Sequence, residues 1–214
     1  MQFFLFSKLP FDVIDPIGLI ECYCFQSDFY ANYDTIPNKK IESVNSIGAR
    51  IDKKLLSECS KITDDTKDLQ IFHFDIDTFL KQKDGNIDSN IRILSDEVIR
   101  RLTQLNGIGL STATKILHTL YPNIIPIIDN TLKKEYKDEI NSFWKEDDYY
   151  QILSDYFKNL KDENNWRNIC QLHELLSGSG LVLSKIRVFD IIWWSYLKSK
   201  RLRLEQKINW STIK

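Results

Sequence analysis

No stretch of this chain is apolar for long enough to cross a bilayer, which takes about 20 residues. The N-terminal "MQFFLFSKLPFDVIDPIGLIECYCF" comes nearest, but Lys8, Asp12, Asp15 and Glu21 interrupt it. It also lacks the charged-then-apolar layout of a signal peptide, so a cytoplasmic protein is expected. Cysteine is sparse and scattered, at positions 22, 24, 59 and 170. The one close pair, Cys22 and Cys24, has a single residue between its members where a zinc knuckle or redox motif needs two. His73, His118 and His173 are isolated from one another and from the thiols. Reduced cysteines and no metal centre are therefore expected. Glycine and proline are scarce too, at seven and five residues, and two of each fall within positions 105–134.

Neither charge sign dominates. The formal net charge is −1, which excludes a basic nucleic-acid-binding tail. The distribution is uneven, however: residues 1–90 sum to −5 and residues 91–214 to +4. A positive excess confined to one half suits a local nucleic-acid footprint. At 43% hydrophobic residues, the chain has material for a real core.

Apolar spacing predicts helix after helix. Segments near 17–31, 39–47 and 52–62 read as helical. "DLQIFHFDID" (68–77) alternates at Phe72, Phe74 and Ile76 like a short strand, and the charged "KQKDGNIDSN" (81–90) reads as an exposed loop. Leu94, Val98, Leu102 and Leu105 mark a helix, and Leu110, Ala113, Ile116, Leu117 and Leu120 a second one ending at Tyr121–Pro122. Helices are expected again around 147–161, 164–176 and 183–204, with "SGSG" (177–180) as a break. The whole of 1–214 reads as a single helical domain.

The turn between the two central helices, "LNGIGLS", carries the chemistry. Gly107 and Gly109 lack Cβ atoms and tolerate positive φ, so a phosphate can approach the backbone. The first amides of the second helix are unpaired donors, and the helix dipole favours an anion there. Asn106, Ser111, Thr112 and Lys115 can add contacts to the same phosphate, while Ile108 plugs the gap between the helices. Such contacts set register without reading base sequence. A purely structural turn is the plainer alternative.

"LNGIGLSTATKIL…PIIDNTLKK" resembles the hairpin-plus-aspartate signature of the HhH-GPD superfamily of DNA base-excision glycosylases, nearest the monofunctional adenine-mismatch type. Gly107, Gly109, Ser111, Thr112, Ala113, Pro126 and Asp129 fall on the pattern, and the likeness covers about residues 94–134, with the helix–hairpin–helix at about 94–121. The resemblance implies a predominantly all-α fold with two helical subdomains and a cleft between them. It implies DNA as partner and Asp129 as the catalytic carboxylate that steadies the cationic sugar. Ser111 stands where lyase-type members carry a lysine, so no Schiff-base step is expected. Four clustered C-terminal cysteines are missing, so no iron–sulfur cluster is expected; a monovalent cation at the hairpin stays compatible with the pattern. The adenine-mismatch type also uses an early glutamate to protonate the base, and Glu21 is the candidate.

Other readings compete at these positions. Asp129 also suits the N-cap of "NTLKKEY". Asp190, three residues after Arg187, reads as an ion-pair member on an apolar helix, or as a rival acid if it faces the pocket. Phe29, Tyr30, Tyr33 and Trp166 are candidates to line a base pocket, and Trp193 and Trp194 read as core. The leading expectation is a monofunctional DNA glycosylase acting on a damaged or modified base. The alternatives are a non-catalytic hairpin module that binds DNA, and a helical protein-interaction domain. Oligomeric state is left open.

Overall fold

The computed structural model describes residues 1–5, 9–25, 41–42, 44–47, 49, 51–130, 132–133, 148–201 and 207–208. The described chain is predominantly α-helical, as expected. Among the described residues no helix is long and apolar enough to cross a membrane.

A small sheet opens the chain, where helix periodicity gave no signal. Strands β1 (Gln2–Leu5) and β2 (Leu9–Val13) pair antiparallel, with Phe3 opposite Phe11. Phe3, Phe11 and Val13 are buried while Gln2 and Asp12 are exposed, the period-two alternation of a half-buried sheet. Phe11 stacks on Tyr196 at 4.1 Å between ring centroids. Helix α1 (Pro16–Phe25) follows, burying Leu19 and Ile20 and leaving Glu21 exposed. Within the expected 39–47 helix, residues 41–42 are α-helical and Val44–Ile47 forms a 3-10 turn.

Helix α2 (Lys53–Thr66) is capped by Asp52, whose carboxylate accepts the Leu55 amide at 2.8 Å. The expected strand at 68–77 is instead a 3-10 turn (Gln70–His73) followed by the short helix α3 (Ile76–Leu80). Its alternating aromatics are real, but Phe72 stacks face to face on Tyr121 at 3.9 Å rather than joining a ladder. The expected loop at 81–90 is also helical. Helix α4 (Asp84–Ile93) uses Ile87 and Ile91, four apart, as its buried stripe. Charge on its other face had masked that stripe. A π-helical stretch (Leu94–Ile99) and helix α5 (Arg100–Thr103) continue it without a break.

Helix α6 (Leu110–Leu120) buries Leu110, Ala113, Ile116 and Leu117 as the spacing predicts. Three long helices complete the core: α7 (Tyr149–Lys161), α8 (Glu163–Gly178) and α9 (Lys185–Arg201). The break expected at 177–180 comes at its end, where Gly180 takes φ +88°. The two-residue strand β3 (Lys207–Ile208) pairs parallel with β2.

A buried asparagine ties the sheet to the helices. Asn165 on α8 accepts the Phe4 amide at 2.7 Å, and its amide group donates to the Phe4 and Asn159 carbonyls. The side chain so behaves as one more rung on the edge of β1. Buried apolar residues from Phe3 to Leu197 form one continuous core.

Candidate functional site

The hairpin connecting α5 to α6 is exposed at Asn106, Gly107 and Gly109, while Ile108 is buried between the helices. Gly107 takes φ +92°, a conformation that a side chain would strain. Gly109 does not: it precedes α6 in extended geometry at φ −92°. A Cβ added at Gly109 would meet nothing within 4 Å. Positive φ therefore accounts for the first glycine alone. The first backbone bond of α6 runs from the Ala113 amide to the Gly109 carbonyl, 2.9 Å, so the amides of Leu110, Ser111 and Thr112 precede the intrahelical ladder. Ser111 and Thr112 are half-buried at this end.

After α6 a turn over 122–124 leads into residues 125–129, which are neither helix nor strand, and Ile124 to Ile128 are all buried. A buried segment outside helix and sheet must find partners for its backbone groups elsewhere. The Ile124 and Ile125 amides donate to the Tyr121 carbonyl at 3.2 and 3.0 Å, and side chains serve groups further along. His118 on α6 hydrogen-bonds the Ile125 carbonyl through Nδ1 at 2.6 Å. Thr114, one turn earlier, accepts the Ile128 amide at 3.1 Å. Asp190 on α9 accepts the Ile127 amide at 3.0 Å. Pro126, between the bonded residues, has no amide to satisfy. Because a carbonyl only accepts, the His118 proton sits on Nδ1. Burial, reinforced by the charge of Arg187, pushes the His118 imidazole down to about 3, so it is neutral at ordinary pH.

This segment delivers Asp129 to the wall of a cavity of about 150 Å³. Its lining is Lys115 from α6, Ile127, Asp129 and Leu132 from the segment and its end, and Arg187, Asp190, Ile191 and Trp194 from α9. Asp129 is half-buried and also caps the turn that follows, accepting the Leu132 amide at 2.7 Å. Capping and cavity-facing are thus both true of one carboxylate. Lys115 is half-buried; burial lowers its ammonium below the usual lysine range, Asp129 partly offsets this, and Arg187 adds to it.

The deepest pair is Arg187 and Asp190, 4% and 2% exposed. One Arg187 Nη lies 3.7 Å from Asp190 Oδ2. Asp190 Oδ1 accepts the Tyr156 hydroxyl at 2.6 Å, and that hydroxyl is itself fully buried beneath Trp193. Burial raises the Asp190 carboxyl to about 7, against the pull of Arg187, Tyr156 and the Ile127 amide, with Asp129 adding a smaller upward push. Two carboxyl groups thus face one cavity in different surroundings, the arrangement that separates an acid from a base or a charge stabiliser.

Of the residues singled out from sequence, the structure brings Lys115 and Asp129 together with Arg187 and Asp190. It leaves Glu21 outside this lining, exposed on α1. Trp194, assigned to the core from sequence, lines the cavity, whereas Trp193 is core as expected. Trp166 is half-buried beneath the Lys185 ammonium, 5.1 Å from the ring centroid. Phe29, Tyr30 and Tyr33 lie outside the described residues. Tyr156 gave no functional signal in the sequence, since a lone tyrosine on an amphipathic helix reads as packing.

A larger cavity of about 650 Å³ lies between α4 and α7, lined in part by Leu80, Asp88, Ile91, Tyr150 and Phe157. Polar groups around it satisfy one another: the Tyr150 hydroxyl donates to Asp88, Arg92 covers the Tyr150 ring at 3.9 Å, and Lys161 meets Asp84 at 2.8 Å. Size alone does not make it the better site. The smaller cavity is the one with buried, convergent charged groups.

Fold and cavity together define a mainly helical protein with a pocket lined by four ionisable side chains, one of them on the helix that follows an exposed hairpin. Residues 78–197 match a family of unknown function, DUF6308, and the chain belongs to that family. No curated protein and no solved structure matches the chain. The matched span contains the hairpin and every residue lining the 150 Å³ cavity, but neither Glu21 nor the first two strands.

Proposed function

We propose that this protein binds DNA through the hairpin at residues 106–112 and acts as a monofunctional glycosylase, cleaving the N-glycosidic bond of a damaged or modified base. One observation carries the reading. Helix α6 starts at the hairpin with three amides ahead of its hydrogen-bond ladder and, one turn on, sets Lys115 in the same cavity as Asp129. A phosphate held at the first and a nucleotide flipped toward the second would share one rigid helix.

In this reading Asp129 stabilises the positive charge that develops on the sugar as the bond breaks. Asp190, whose carboxyl keeps its proton up to about pH 7, is the acid available inside the cavity to the departing base. Glu21, the counterpart implied by the family resemblance, stands outside the lining. Ser111 provides no amine, so water adds to C1′ of the sugar as the C1′–N bond breaks, its proton passing to Asp129 or solvent, and the product is an intact abasic site.

The test is base release from duplexes carrying single modified bases, followed by alkali cleavage. Asp129→Asn is expected to abolish release while leaving DNA binding in place. Unchanged release in that variant would refute the mechanism. The hydrogen bond from Leu132 to Asp129 favours a second reading, in which the carboxylate is structural and the hairpin only binds DNA. That reading predicts salt-sensitive binding and no abasic product from any substrate.

A further inference from the structure

The cavity beside Asp129 restricts what can occupy it. Its volume is about 150 Å³. An enclosed cavity of that order takes up a single six-membered aromatic ring such as benzene, and this pocket, partly open to solvent, has walls that surround about that volume. A fused two-ring purine needs more room than that. The walls also resist widening. Ile127 is fixed by the Asp190 bond, and its neighbours by Thr114 and His118, so enlarging the space would break hydrogen bonds of buried groups.

Charge points the same way. Lys115 and Arg187 face Asp129 and the protonated Asp190 carboxyl, so the lining sets hydrogen-bond donors beside an acceptor rather than forming a cage for a small ion of one sign. A neutral planar ring bearing both carbonyl acceptors and N–H donors meets a complement to each: the two cations and the protonated Asp190 donate, and Asp129 accepts. Ile127, Leu132, Ile191 and Trp194 offer apolar and aromatic surface to its faces. Arg187, 4% exposed, is a polar group built into the interior of the pocket rather than a surface residue that strays over it.

We propose that this cavity is a base pocket selective for single-ring, pyrimidine-derived bases and closed to purines. The inference rests on the glycosylase reading above and narrows its substrate class. It also departs from the adenine substrate that the nearest sequence resemblance implies.

Two measurements on the full chain test it. In the first, duplexes carrying one pyrimidine lesion (uracil or 5-hydroxycytosine) or one purine lesion (hypoxanthine, 8-oxoguanine or mispaired adenine) are incubated and abasic sites counted. In the second, ligand-observed NMR compares the free bases uracil and thymine with adenine and hypoxanthine, which requires no catalysis. Release from pyrimidine lesions is expected to exceed that from purine lesions by about ten-fold or more, the scale on which a tight pocket rejects an oversized group. Equal or faster release of purines overturns the size rule while leaving the glycosylase reading intact. No release from any duplex overturns the glycosylase reading, and the NMR arm then decides the pocket: preferential binding of single rings upholds it, and absent or purine-favouring binding removes it. Trp194→Ala should admit purines by enlarging the cavity. Ile191→Ala does so on the same wall if the first variant folds poorly.

Discussion

Asp190 accepts the backbone amide of Ile127 at 3.0 Å, joining helix α9 to the buried "IIPII" segment across 63 positions of sequence. The same carboxyl group holds the buried Tyr156 hydroxyl. A side chain at the centre of the last helix thereby sets the position of the segment that carries Asp129.

Removing that carboxyl should be costly. Asp190→Ala strands the buried Ile127 amide, leaves the Tyr156 hydroxyl only its longer bond to the Ile186 carbonyl at 3.3 Å, and removes the acid 3.7 Å from Arg187. The expected loss is roughly 3–5 kcal/mol, read as a lowered urea midpoint at an unchanged denaturant slope. A loss below roughly 1 kcal/mol would show that the segment is held by other contacts.

His118 and Asp190 should make opposite contributions to the pH dependence of stability. Burial takes His118 from 6.5 down to about 3, so the folded state binds fewer protons than the unfolded state between those values. Its contribution is complete above pH 6.5 and is lost as pH falls toward about 3. Burial takes Asp190 from 3.8 up to about 7, so the folded state binds more protons across that range. Its contribution is complete below pH 3.8 and is lost as pH rises through about 7. Between pH 3.8 and 6.5 the two slopes cancel. His118→Gln keeps a donor for the Ile125 carbonyl but cannot titrate. Its stability should therefore decline with rising pH in this window, relative to the parent, by up to about 1.4 kcal/mol per pH unit. Urea titrations of both proteins across the window measure this, and parallel profiles would contradict it.

The two hairpin glycines should respond differently to alanine. Gly107→Ala places a side chain at φ +92° and should cost roughly 1–2 kcal/mol. Gly109→Ala meets open space at an ordinary φ, and its effect on stability should stay below about 1 kcal/mol. If the hairpin approaches a phosphate backbone, Gly109→Ala should nonetheless weaken DNA binding, because the new methyl group stands where the phosphate would come. Fluorescence anisotropy with a labelled duplex at low salt separates the two effects. Full affinity in the Gly109 variant would count against the hairpin as the contact.

Thr114→Val preserves shape while deleting the acceptor for the Ile128 amide. The expected cost is about 1–3 kcal/mol, that of a buried donor left unsatisfied. Since Ile128 adjoins Asp129, base release should fall further than the folded population does. A release rate that merely follows the folded fraction would show that the bond supports stability and not placement.

Much of the helical architecture was legible in residue spacing. The recurrence of Leu110, Ala113, Ile116 and Leu117 located α6, and the turn residues around 107–109 located its start. The errors have a common cause. Residues 81–90 read as a loop because four charges there outnumber one isoleucine, Ile87, which with Ile91 just beyond turns inward where α7 packs beside them. Residues 68–77 read as a strand because Phe72 and Phe74 alternate, although Phe72 is held by the face of Tyr121 and no neighbouring strand pairs with it. The first strands were missed because Phe3 and Phe11 form a buried pair only once the chain doubles back.

The site divides along the same line. Sequence spacing located the hairpin and placed Lys115 one turn beyond Ser111, because a turn, a helix start and residues one helical turn apart are set by neighbours in the chain, whereas Asp129 was singled out as catalytic by the family resemblance. Tertiary structure decided that Arg187, Asp190 and Trp194 share a cavity with Asp129, and that Glu21 does not line it. It also decided that the Asp190 carboxyl titrates near 7 rather than 3.8. Those outcomes depend on the loss of water and on distances between segments remote in sequence, and neither exists until the core closes.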